Sequence, residues 1–255
     1  MNLRFIGTGT LGSARIRNKL SRDYRRFSTL LIDERILIDP SADIFEFEEN
    51  FMLGGLYLNA TDVLITHSHL DHFSISAIEQ LAAKRRITVF CDQTLTEALA
   101  AIPNVLTVGI SAFSLFRIDD YEILPLPSNH TTDNKAEVAY NFVIQREKTI
   151  FYGLDGAWIN AESWQILKAL KPSCFVLECA LANSDYSPAC FYHNNLDMVK
   201  KIKSIIEEAG ALSDGAKFII SHIPTSKKLS IHEELSSLCD ECGIKVAYDG
   251  YFVSV

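Results

Sequence analysis

The feature that most constrains this chain is the segment Val63-Leu-Ile-Thr-His67-Ser-His69-Leu-Asp71-His72, where an apolar run opens onto three histidines and an aspartate within six positions. Side chains two apart in an extended segment point the same way, so His67 and His69 can converge on one point. A backbone turn after His69 would redirect Asp71 and His72 toward a neighbouring point. Imidazole and carboxylate together suit borderline divalent cations, Zn²⁺ above all, with Mn²⁺ or Fe²⁺ also accommodated. A metal-free polar loop seldom concentrates such residues. The fold must therefore display the end of a buried strand in a cavity.

The rest of the chain supplies more strand ends of this kind. Short runs rich in Val, Ile, Leu and Phe, bounded by turn residues, predict strands at 3–6, 28–33, 35–39, 63–66, 87–91, 105–108, 113–116, 122–126, 140–145, 149–152, 174–177, 218–221, 245–248 and 252–255. Helix-period segments predict helices at 75–84, 94–101, 161–170, 195–209 and 231–242, with Ser74 and Asn194 at N-cap positions. His130 follows EILPLPSN, Asp155 follows TIFYGL and His222 follows KFIIS. Each stands at or just past the end of an apolar run, where layered α/β folds usually present ligands. Strands dominate the first two-thirds and helices interleave throughout, which suits sheets packed on each other with helices outside. There is no repeat, low-complexity tract or linker, so residues 1–255 read as one domain.

Composition narrows the partners. A net charge of −8 and a pI near 5.4 argue against a grip on long nucleic acid, which needs clustered Lys and Arg. No segment reads as a signal peptide or membrane span, so a cytoplasmic location is the default expectation. The six cysteines are scattered and expected to be reduced. Cys239 and Cys242 form a lone C-x-x-C, read as helix packing, with a structural zinc or redox role as the alternative.

The ordered set His67-x-His69-x-Asp71-His72, His130, Asp155 and His222 resembles the full ligand set of the metallo-β-lactamase superfamily. The resemblance implies an α/β four-layer αββα sandwich. It implies two divalent metal ions, zinc or manganese first and iron as an alternative. His67, His69 and His130 would hold one ion, Asp71, His72 and His222 the second, and Asp155 would bridge them. Ile36-Leu-Ile-Asp39 is similar to the family's strand-ending aspartate, which steadies a ligand histidine. Hydrolysis would then proceed through a metal-bridging hydroxide, without a protein nucleophile.

Within the superfamily, Asp155 stands where the zinc β-lactamases usually carry Cys, and His69 where diiron members carry Glu. Only 33 residues follow His222, too few for the helical substrate domain of glyoxalase II-like thioesterases. His193-Asn194-Asn195-Leu196, Ser221-His222-Ile223, Ala247-Tyr248-Asp249-Gly250, Gly7-Thr8-Gly9-Thr10 and Tyr24-Arg25-Arg26 resemble the PhnP-like cyclic phosphodiesterases and, more distantly, ribonuclease Z. Two features depart from them: residues 1–90 lack the cysteines of a structural zinc site, and the 24 residues between His130 and Asp155 leave no room for a tRNA-binding arm.

The expected activity is a phosphodiesterase acting on a small cyclic or nucleotide-like phosphodiester. The alternatives are an acyl hydrolase (lactonase or thioesterase) and an inactive member that binds a metal or metabolite. Asp71 and His193 are the catalytic candidates. Asp71 would assist the hydroxide, and His193 would donate a proton to the departing alkoxide, unless it merely caps the following helix. Arg15, Arg17, Lys19, Arg22, Arg25 and Arg26 form a local basic run. It reads as a solvated loop or, through Arg25 and Arg26, as a contact for a small phosphorylated substrate, with Asn194, beside His193, as a further candidate contact. A homodimer is the candidate assembly, with no interface legible.

Overall fold

The computed structural model describes residues 1–11, 16–225 and 231–255. Among the described residues, fourteen strands fall into two seven-stranded sheets. The first contains β1 (Asn2–Gly7), β2 (Thr29–Ile32), β3 (Ile36–Ile38), β4 (Asp62–Leu64), β5 (Ile87–Asp92) and β6 (Val105–Ile110) in chain order. The second runs from β7 (Phe116–Ile118) through β8 (Tyr121–Pro127), β9 (Tyr140–Gln145), β10 (Thr149–Gly153), β11 (Cys174–Glu178) and β12 (Lys217–Ser221) to β13 (Ile244–Val246). The last strand, β14 (Phe252–Ser254), returns to the first sheet and pairs antiparallel with β1. Both sheets are mixed. Antiparallel pairing gives way to parallel pairing after β3 in one and after β10 in the other.

The strands alternate with period two, and both faces of the central ones are buried, while β6, β7 and β14 keep exposed positions. Leu30, Ile32, Ile36 and Ile38 meet Phe142, Ile144, Ile150 and Tyr152 in the core between the sheets. The intervening Leu31 and Leu37 point outward to α1 (Ile44–Asn50) and α2 (Ile75–Lys84), against Phe47, Ile78 and Leu81. A short α3 (Thr96–Ala100) extends that layer through Leu99. On the other side Val143, Phe151, Phe175 and Ile220 pack against α4 (Ala161–Leu170), α5 (Leu196–Glu208) and α6 (His232–Asp240). Strands buried on both faces need near-continuous apolar runs, and those runs made them visible in the sequence. The result is the expected four-layer αββα sandwich.

Three local readings are corrected. Helix α1 was not expected, because the aromatic–acid alternation of IFEFEEN imitates a strand. The segment at 113–116 becomes a strand only at Phe116, since Phe113 adopts φ 62°. The N-cap of α5 is Asn195, whose side chain accepts from Met198 N, rather than Asn194. Ser74 caps α2 by accepting from Ala77 N. Among the described residues, no helix is long and apolar enough to cross a membrane.

Candidate metal centre

The candidate ligands stand at one edge of the sandwich, where four strand ends from both sheets meet. Past β4 the chain turns at His69, whose carbonyl accepts from His72 N (2.9 Å) and Phe73 N (2.8 Å). That turn swings Asp71 and His72 away from His67 and His69. From the second sheet come His130 past β8, Asp155 past β10 and His222 past β12. Asp155 and His222 both take left-handed backbone angles, φ 51° and 55°, as does Asp39 with 52°. Such angles cost non-glycine residues of the order of 1–3 kcal/mol each and persist only where surrounding packing imposes them. Here each ends a buried strand with a sharp turn that aims the side chain inward.

Asp155 and its neighbours are locked to the His130 loop. Asn129 Nδ2 donates to Ala157 O at 2.9 Å. Gly156 sits at φ 131°, and a Cβ there would lie 3.0 Å from Asn129 N, so glycine is required by conformation and by space.

The donors form two groups: His67, His69, His130 and Asp155, and Asp71, His72 and His222. In the first, His69 Nδ1 lies 3.0 Å from His67 Nε2 and 3.2 Å from His130 Nε2. Nitrogens bound at ~2.0–2.1 Å to one tetrahedral zinc would stand ~3.3 Å apart, a close match. In the second, Asp71 Oδ2 is 3.9 Å from both His72 Nε2 and His222 Nε2. Asp155 lies between the groups. Its Oδ2 is 3.3 Å from His67 Nε2 and 2.9 Å from His72 Nε2, while Oδ1 is 2.8 Å from His222 Nε2.

Hydrogen bonds on the outward ring nitrogens fix three tautomers. Thr66 Oγ1 donates to Asp39 Oδ2 (2.7 Å), so toward His67 Nδ1 (3.0 Å) it can only accept. Ser28 Oγ likewise donates to Gly9 O (3.0 Å) and accepts from His222 Nδ1 (2.8 Å). Asp39 Oδ2 accepts from His72 Nδ1 at 2.9 Å. All three rings therefore carry a proton on the outward Nδ1, which leaves each Nε2, facing Asp155, as the atom a cation would take. That is the arrangement a cation requires of imidazole ligands, and the residues fit a metal pair. Burial lowers the pKa of His67 and pushes that of His130 down to about 3, which keeps both as neutral lone-pair donors. Burial opposes the charge on Asp155, but His222 and His72 hold its pKa well below the usual carboxylate range.

The centre opens into a cavity of about 670 Å³, whose wall includes Leu11, Leu70, Asp133, Leu181 and His193. His193 lies outside both donor groups. Its Nδ1 is 3.5 Å from Asp155 Oδ1 and 3.7 Å from Glu178 Oε1. Burial disfavours the charged ring, yet the Glu178 carboxylate raises its pKa above the ordinary value.

Glu178 escaped the sequence reading. It is fully buried at the end of β11 and accepts from Asn194 N (2.5 Å) and Ala180 N (2.7 Å). The signal was an acid closing the apolar run CFVLE, the same grammar as the run before Asp155. Leu11 N was also unforeseen: it donates to Asp71 Oδ2 at 2.8 Å.

The expected substrate contacts are revised. Arg25 and Arg26 are fully buried. Arg25 Nη1 donates to Thr8 Oγ1 (2.9 Å) and Ala247 O (2.8 Å). Arg26 pairs with Asp249 (3.1 Å) and Glu46 (3.0 Å). Neither belongs to a solvated loop or lines the cavity. Asn194 is buried too, accepting from Trp158 N (3.1 Å) and donating to Gly156 O (3.4 Å), so it braces the Asp155 loop. Arg17, Lys19 and Arg22 are exposed, with Lys19 paired to Glu46, and Arg15 lies outside the described residues. Gly7 and Gly9 allow a close approach to the chain itself, for a Cβ on Gly7 would overlap Phe27 O and one on Gly9 would sit 2.8 Å from Arg25 Cβ. Cys239 is buried against α5 and the second sheet, with Cys242 packed partly on the same core.

Comparison with known proteins bears on this geometry. Residues 34–233 match the family model described as Beta-lactamase superfamily domain. No curated protein matches. Among solved structures, the metallo-beta-lactamase fold protein YhfI from Bacillus subtilis is 14% identical over 99% of this chain and 98% of its own, with a TM-score of 0.74. Zn²⁺-bound PqqB from Methylobacterium extorquens is 13% identical with complete coverage of both chains, at a TM-score of 0.77. Yeast PDE1 is 14% identical over 100% of this chain and 99% of its own, at 0.73. At such identities the likeness is one of fold.

Proposed function

The chain belongs to the beta-lactamase superfamily, and from that premise we propose that it is a dinuclear metal-dependent phosphodiesterase acting on a small phosphodiester. His67, His69 and His130 would hold one divalent ion, Asp71, His72 and His222 the other, with Asp155 shared. When bound, such a pair supplies Lewis acidity and lowers the pKa of coordinated water toward neutrality. Zinc is the first choice by donor chemistry, with manganese or iron as alternatives.

The rest follows from the chain's own residues. Asp71 Oδ2 is held by Leu11 N, which fixes the carboxylate at the cavity wall so that it can take a proton from the attacking water. Ser68, the hydroxyl beside His69, donates to Glu137 at 2.6 Å, which favours water over a serine nucleophile.

The observation that carries the reading is His193, a histidine at the cavity wall outside both donor groups and backed by a buried carboxylate. With Nδ1 turned toward Asp155 and Glu178, Nε2 is the nitrogen left for substrate. A phosphodiester expels an alkoxide that needs a proton near neutral pH, and a positioned imidazole can contribute ~10²–10⁴-fold by supplying it. Glu178 is its positioning residue. A thioester, whose thiolate leaves readily without protonation, makes weaker demands for such a donor.

The test is a panel of bis(p-nitrophenyl) phosphate, cyclic nucleotides and ribose cyclic phosphate, with added Mn²⁺ or Zn²⁺. Turnover of at least one diester is expected. Failure on all of them alongside turnover of lactones or thioesters would place the enzyme among the acyl hydrolases. Clearly fewer than two ions per purified chain, with no turnover of any substrate, would mark a binding protein instead.

A further inference from the structure

Resting on the phosphodiesterase reading, we propose that the substrate is a diester monoanion whose remaining substituent is uncharged and apolar, seated against Leu11 and Leu70. The cavity wall argues this by what it contains. Among the described residues it has no Lys or Arg; its charged groups are the donor residues, His193 and the exposed Asp133. The two ligand carboxylates, Asp71 and Asp155, offset half the charge of a divalent pair. The attacking hydroxide takes one of the two charges that remain, and the last suits one phosphodiester charge. A second anionic group on the substrate would reach outward to Asp133 and be repelled.

The apolar side of the wall is equally specific. Leu70 lies between His69 and Asp71 in the chain and is 72% exposed, while Leu11 is 57% exposed on a different loop. Leu11 N is tied to Asp71, so this residue is held at the metal centre. Leu181 and Ala180 continue the same wall from the loop that follows Glu178. Large exposed aliphatics placed within a catalytic cavity indicate a ligand surface more than scattered surface leucines do. A polyphosphate or a substrate with a free phosphate monoester fits this wall poorly.

The experiment compares p-nitrophenyl diesters that share one leaving group and differ in the other substituent: methyl, phenyl and carboxymethyl. The holoenzyme is expected to favour phenyl over methyl in kcat/KM by about tenfold or more, chiefly through KM, as apolar pockets commonly discriminate. Carboxymethyl should fall below methyl. Leu11→Ser and Leu70→Ser, each checked for metal content, should shrink the phenyl-to-methyl ratio several-fold, and Asp133→Lys should raise the carboxymethyl rate. Calorimetric binding to the holoenzyme should rank phenyl methylphosphonate above methyl methylphosphonate. Diester turnover with equal rates, or with a preference for carboxymethyl, overturns the inference and leaves the phosphodiesterase reading standing. If no diester is turned over, that reading fails and the diester substrate falls with it; the calorimetric ranking then decides only whether Leu11 and Leu70 form an apolar binding wall, which equal affinities overturn.

Discussion

Replacing Glu178 with Gln separates the observed role of one buried carboxylate, holding two backbone N–H groups, from its proposed one at His193. Its oxygens accept from Asn194 N at 2.5 Å and Ala180 N at 2.7 Å, and the same group lies 3.7 Å from His193 Nδ1. Gln keeps one acceptor oxygen but turns an NH₂ group toward the other N–H, so two donors face each other in a buried site. Losing a charge-assisted hydrogen bond and stranding a donor costs about 2–4 kcal/mol, partly offset because a neutral amide is easier to bury. A net loss near 2 kcal/mol corresponds to a melting temperature lower by about 4–8 °C for a domain of this size. The kinetic effect is distinct. Without the carboxylate, His193 loses the charge that holds its proton, and turnover should fall about 10–100-fold for poor leaving groups and much less for p-nitrophenolate. Scanning calorimetry reads the first effect. A series of diesters with graded leaving-group pKa reads the second, as a steeper dependence on leaving group in the variant. A uniform drop across the series would refute the assignment and leave Glu178 as a purely structural acid.

Other outcomes follow from the same geometry. Asp155→Ala should remove activity and at least one ion per chain by elemental analysis, because one carboxylate faces His67, His72 and His222; full metal retention would contradict a shared ligand. His193→Ala should keep fold and metal while losing ~10²–10⁴-fold on poor leaving groups, and equal losses on good and poor leaving groups would argue against proton donation. Arg26→Met leaves the buried Asp249 held only by Thr8 Oγ1 and the backbone N–H of residue 26, and leaves Glu46 without its guanidinium, so a destabilisation toward the lower end of about 3–5 kcal/mol is expected in urea unfolding. KM should stay unchanged, and a raised KM at unchanged stability would restore Arg26 to the substrate.

What was legible in the sequence depended on the range of the interaction. Strands such as 30–32 and 150–152 announced themselves because both faces are buried, which forces unbroken apolar runs. His130, Asp155 and His222 could be placed at strand ends because each follows such a run. Arg25 and Arg26 could not be placed, since their burial depends on Asp249 and Ala247, more than two hundred residues away. Local composition made them look like part of a solvated basic loop. Asn194 and Asn195 exchange roles through a single residue of helix phase, which periodicity does not resolve. The left-handed turns at Asp39, Asp155 and His222 left no mark, because no glycine is needed to make them.

The late return of β14 has a consequence for biogenesis. Six strands of the first sheet are complete by Ile110, yet the outer edge of β1 stays open until residues 252–254 arrive. Asp249, just ahead of them, closes onto Arg26 and Thr8, while Thr8 O and Gly9 O hold Ile223 N and Ser28 beside His222. During synthesis, then, a nascent chain with every donor histidine already outside the ribosome would still lack the keystone beneath one of them.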